Sequence, residues 1–128
     1  MTPDELATRL RGDPALRDVR LLVLHGSHAR GEAGPRSDWD LGYLADQDTD
    51  LGVLAVTITS ALRSDRVDLV DLAMASALLR YRTARDGVAL VEREADTFLR
   101  FRLEATRFWC DVEPVMRAAY DDVLHSLG

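Results

Sequence analysis

The sequence predicts an α/β (α+β) domain, a small central β-sheet flanked by helices. Two observations predict it. Four short apolar runs, residues 19–24, 41–45, 66–72 and 88–91, have strand length and strand composition. Stretches with helical periodicity alternate with them. The 128 residues are 47% hydrophobic and 30% charged, which suits one globular domain spanning 1–128.

The elements follow in order. Thr2-Pro3-Asp4-Glu5 opens a helix: Thr2 caps, Pro3 suits the first helical position, and Glu5 completes a capping box. Leu6, Leu10 and Leu16 face the core, and Gly12-Asp13-Pro14 breaks the chain. Residues 19–24 (Val-Arg-Leu-Leu-Val-Leu) form a buried strand that ends at His25-Gly26-Ser27. A Gly/Pro-rich loop at 31–37 leads through Asp38 to Asp40 into the strand at 41–45. Residues 51–63 carry both signals. Leu51, Leu54, Ala55, Ile58, Ala61 and Leu62 make a helical stripe, while Val53, Val56, Thr57 and Thr59 are β-branched. Thirteen residues is long for a strand, so helix is the reading. Residues 66–72 form the third strand, 76–85 a helix, and 88–91 the fourth strand.

From about residue 95 the pattern is helical to the end. Phe98, Phe101, Ala105, Phe108 and Val112 recur on one face and read first as core packing. With Trp109 they are also candidates for a docking face. Pro114 is expected to kink or restart the helix, so a separate last helix would carry Val115, Met116, Ala119, Val123 and Leu127.

Composition excludes several functions. No apolar run approaches the roughly 20 residues that span a bilayer. The acidic N-terminus is no signal peptide, and a cytoplasmic setting is expected. The one cysteine, Cys110, cannot form an intrachain disulfide and reads as a small buried side chain. A net charge of −6 argues against a broad nucleic-acid surface, and no direct nucleic-acid binding is expected.

One segment carries chemistry: His25-Gly26-Ser27-His28-Ala29-Arg30-Gly31, then Ser37-Asp38-Trp39-Asp40-Leu41. Gly26 lets the backbone turn tightly and a ligand come close. Ser27 opens a helical turn whose free N–H groups and partial positive charge favour a phosphate. Its hydroxyl can donate to a phosphate oxygen, and Arg30 adds charge. Asp38 and Asp40, two apart on a strand, point to one face and Trp39 to the other. Two carboxylates ~4 Å apart at an effective dielectric of ~20 cost on the order of 4 kcal/mol. Mg²⁺ held by such a pair and by substrate phosphates removes that cost. Asp68 or Asp71 offers a third acid; being three apart they face opposite ways, and only one can join. Asp68, isolated in an apolar run, is favoured. Asp38, Asp40 and Asp68 are then the expected metal-binding and catalytic set. The parts together point to metal-assisted transfer on a nucleoside triphosphate.

Gly26-Ser27, ten residues, then Asp38-x-Asp40 resembles the signature of the polymerase β-like nucleotidyltransferase superfamily. The fuller text, with Val-Asp-Leu-Val at 67–70, is similar to the minimal nucleotidyltransferases (MNT) over residues 21–45 and 66–72. The resemblance implies a mixed sheet of the polymerase β palm type and Mg²⁺-dependent transfer of a nucleoside monophosphate. By that likeness Gly26 and Ser27 hold the triphosphate, and Asp38, Asp40 and Asp68 hold metal and catalyse. It further implies a cognate HEPN RNase toxin as partner, with AMP from ATP added to a tyrosine of that toxin, the chain acting as its antitoxin. Two other readings are open: transfer to a small molecule such as an aminoglycoside, and a non-catalytic antitoxin that occludes its toxin.

Overall fold

The computed structural model describes residues 1–127. Its elements are α1 (Pro3–Leu10), a 3-10 turn (Pro14–Leu16), β1 (Val19–His25), α2 (Gly26–Arg30), β2 (Trp39–Ala45), α3 (Leu51–Leu62), β3 (Val67–Asp71), α4 (Ala77–Asp86), β4 (Val88–Glu92) and α5 (Thr97–Leu127). Side chains cap the helices where short polar residues precede them. Thr2 accepts from Glu5 N (3.1 Å), Asp50 from Val53 N (3.1 Å) and Ser76 from Leu79 N (3.2 Å). In α3 the helical stripe wins: Leu54, Ile58 and Leu62 are buried, and the β-branched Val53 and Val56 point to solvent.

The sheet is mixed, in the order β3-β2-β1-β4. β1 pairs antiparallel with β2 and with β4, whereas β2 and β3 are parallel. A parallel pair needs a crossover, and α3 supplies it. β1 is central and covered on both faces, which is why its run is apolar without alternation. Leu22 and Leu24 join Leu41, Leu6, Leu10, Leu54 and Ile58 under α1 and α3. Leu21 and Val23 join Leu72, Ala84, Phe101 and Ala105 under α4 and α5. Gly42 allows close packing there, since a Cβ on it would overlap the Leu72 side chain.

Two expectations at the C-terminus are corrected. There is one helix, beginning at Thr97, not two; Pro114 lies inside it. Proline removes a single intrahelical bond, the one to the Cys110 carbonyl, and residue 110 is exposed, so water can take that bond. Cys110 is therefore not buried. The apolar residues past Pro114 are exposed as well, because α5 outruns the body of the domain. Of the aromatic stripe, Phe101 is buried, Phe98 is half-buried, and Phe108 is 49% exposed.

Candidate active site

The site lies on the α4 face, where β1 ends and β2 and β3 begin. His25 stands opposite Asp40 in the antiparallel β1–β2 register, and Asp40 stands beside Asp68 in the parallel β2–β3 register. Alternation then puts His25, Asp40 and Asp68 on one face. Asp71 falls on the other. Its Oδ1 accepts from Ala73 N (2.9 Å), so it caps the turn after β3. β2 begins at Trp39, one residue earlier than Asp40, which leaves Asp38 just outside the strand on the loop side.

A cavity of about 250 Å³ opens over this face, lined by Gly26, Arg30, Asp40 and Asp68 with His25 and, from α4, Arg82 and Asp86. Asp38 and Asp68 share an adjoining hollow with Asp65 and Arg66. Ser27 lines neither. It sits half-buried in the first turn of α2, and among the described residues its hydroxyl has no hydrogen-bond partner. Gly26 has φ +69°, and a Cβ there would collide with the Asp40 carboxylate. Glycine is thus needed both for the turn and for the approach of Asp40.

The loop before β2 is pinned. His28 stacks on Trp39 (3.6 Å between ring centroids, 11° between planes) and donates from Nε2 to Ser37 O (3.2 Å). Arg66 Nη1 donates to Arg36 O (2.7 Å), and Trp39 N donates to Arg66 O (2.8 Å). These contacts hold Asp38 near Asp68. Arg30 donates from Nε to Glu32 Oε2 (3.0 Å) and borders the cavity.

Charge is unbalanced here. Burial raises the Asp40 pKa, His25 counteracts it, and Asp68 and Asp38 raise it further. Burial lowers the His25 pKa, and Asp40 and Asp68 oppose the change. His25 is 8% exposed, and its Nε2 is buried without a partner. Asp38, Asp40 and Asp68 make no salt bridge among the described residues. Nor does any group of three His, Cys, Asp or Glu side chains there converge into a ready-made metal cage. The donor set suits a hard divalent cation, being carboxylate oxygen without thiolate, and such a cation would relieve the repulsion that Asp40 feels.

The profile of the family described as polymerase beta, nucleotidyltransferase, matches residues 13–96. The chain belongs to the polymerase beta nucleotidyltransferase family. Its matched span runs from the turn after α1 past β4, so it includes every residue of the cavity. A protein adenylyltransferase, MntA of Aphanizomenon flos-aquae, is 33% identical over 96 residues, 66% of this chain. The alignment covers 64% of that relative's length. A crystal structure of a toxin–antitoxin pair with AMP-PNP contains a chain 26% identical to this one, with a TM-score of 0.74 over 97% of this chain and 99% of that one. The complex of a tri-AMPylated Shewanella oneidensis HEPN toxin with its MNT antitoxin gives 28% identity and a TM-score of 0.66 over 95% of each chain. Such coverage takes in most of α5, so the long helix belongs to the shared nucleotidyltransferase fold.

Two cavity residues escape a reading of the segment around Gly26-Ser27. His25 is legible only once β1 and β2 are placed in register. Asp86 comes from α4, some sixty residues along the chain, and no local signal marks it.

Proposed function

We propose that this chain is a Mg²⁺-dependent protein adenylyltransferase that moves AMP from ATP to a tyrosine hydroxyl of a cognate HEPN RNase toxin, and so serves as the antitoxin. The observation that carries the reading is the pairing of Asp40 with Asp68 on one face of the sheet, next to the Gly26 turn and under α4. The named relatives are adenylyltransferases or antitoxins paired with toxins, and they support the choice of donor and acceptor. In this reading residues 1–128 act as one catalytic domain, in the cytoplasm, where ATP is available.

Asp38, Asp40 and Asp68 would hold Mg²⁺, which supplies charge neutralisation at the phosphates and the developing oxyanions. Gly26 leaves room for the triphosphate at the start of α2. Ser27 donates its hydroxyl to a phosphate oxygen, and Arg30 and Arg82 set positive charge along the cavity. The acceptor oxygen forms a bond to the α-phosphorus, the bond from that phosphorus to the β-phosphate oxygen breaks, and pyrophosphate leaves. Asp68, the most open of the cavity's strand carboxylates, takes the acceptor's proton. The neutral His25 lends a hydrogen-bonding nitrogen beside Asp40 without adding charge.

Incubation with labelled ATP, Mg²⁺ and the product of the adjacent reading frame tests this. Label is expected on that protein's tyrosine, and Asp38→Asn with Asp40→Asn should cut it by at least about 10²-fold. Full neutralisation by the double variant with no label on any protein would replace transfer with occlusion.

A further inference from the structure

The face of α5 that packs on the domain does not stop where the domain stops. Phe101 and Ala105 are buried on it, and Phe98, Trp109 and Val112 are half-buried. The same three- and four-residue steps continue through Met116, Ala119, Val123 and Leu127, with Tyr120 beside them. There the side chains are bare: Met116 is 51% exposed, Val123 54%, Tyr120 65% and Leu127 80%. Residues 114–127 make about 21 Å of helix, and every one of them is exposed. An apolar stripe of this kind is normally covered.

Its charge points to what covers it. Residues 111–127 carry Asp111, Glu113, Asp121 and Asp122 against Arg117 alone. The first half carries Arg100, Arg102 and Arg107 against Glu104. The stretch 111–127 has a formal net charge of −3 with His125 neutral, and a basic surface would complement it. An RNase has one, because it must hold a phosphodiester backbone.

We propose that residues 114–127 are the surface on which this chain docks its toxin, the apolar stripe lying in a groove rimmed by the arginines and lysines of an RNA-binding face. This rests on the adenylyltransferase–toxin reading and names its protein-binding surface. α4 joins that surface to the site. It lines the cavity with Leu79, Arg82 and Asp86, and its Tyr81 stacks on Trp109 of α5 (5.7 Å between centroids) just before the free half begins.

The test uses the full chain and the purified toxin encoded beside it, with affinity measured without ATP. Met116→Glu with Val123→Glu should weaken binding by roughly 30-fold or more. Asp121→Lys with Asp122→Lys should weaken it less and flatten its dependence on salt. Val56→Glu, at an equally bare position on α3 (64% exposed), should bind as the parent does. Thermal melts of all three should match the parent; if the glutamate pair unfolds, Tyr120→Ser takes its place. Unchanged affinity of the stripe variant overturns the proposal. So does a parent that light scattering finds dimeric, if the stripe variant is monomeric and still binds toxin, since a second copy would then own the face. Toxin labelling with unchanged KM in the stripe variant sinks the docking surface alone, whereas a parent that neither binds nor labels toxin sinks the adenylyltransferase reading with it.

Discussion

Asp40 is held in a place that costs the folded chain free energy. Its carboxylate is pressed against Gly26, partly desolvated, and faced by Asp68 and Asp38, so its pKa is raised. A carboxyl with a raised folded pKa is a destabilising group above that pKa, and the penalty vanishes below the ordinary carboxylate range. Asp40→Asn should therefore raise the metal-free melting temperature at pH 7 slightly, since solvent screens much of the repulsion. The gap should close as the pH falls towards 4. Melts of both proteins across that range check it, and a lower midpoint for the variant at pH 7 would contradict it. A proposed transfer site accounts for a carboxylate in so unfavourable a place, and spacing in the sequence singles it out as a candidate. The geometry likewise groups Asp68, not Asp71, with Asp40, for the reason alternation gives. The orphaned Nε2 of His25 had no such signal, because its surroundings come from three strands and a helix.

Periodicity decides the helices even where single residues disagree. β-branched residues in α3 give way to the stripe of Leu54, Ile58 and Leu62 because burial outweighs their propensity. The same logic fails at Pro114, where a local rule predicts a break and the helix continues. The rule holds its energetic content all the same: proline costs the helix interior about 3 kcal/mol. That cost falls on a half-helix whose residues are all exposed. Pro114→Ala should slow amide exchange across residues 111–127 by at least about tenfold and deepen the helical ellipticity. The main thermal transition should stay within about 1 °C, because residues 114–127 add nothing to the core. Unchanged exchange would mean that the free half is already held by something other than its own backbone.

At the scale of the whole molecule, ligand and fold are linked through the strand ends. β1, β2 and β3 converge on the cavity, so a metal–nucleotide complex held there would bind the folded chain and not the unfolded one. Mg²⁺ with AMP-PNP at a hundred times its dissociation constant should stabilise the chain by about 2.7 kcal/mol. EDTA should abolish the rise in melting temperature, and Asp38→Asn with Asp40→Asn should show none. A full rise in the double variant would remove those carboxylates from the site. No helix among the described residues is long and apolar enough to cross a membrane.

The sequence by itself determined the alternation of helices and strands as far as β4, the strand–turn–helix around Gly26, and the spacing of Asp38 and Asp40. Each of these is written in neighbours a few residues apart, where periodicity and backbone sterics act. Only the tertiary structure decided that Asp68 stands level with Asp40, that α4 roofs the cavity, and that α5 runs on past the body it packs against. Those facts depend on strand register and on how far the core extends. They are set by contacts between residues tens of positions apart, for which a local pattern carries no record.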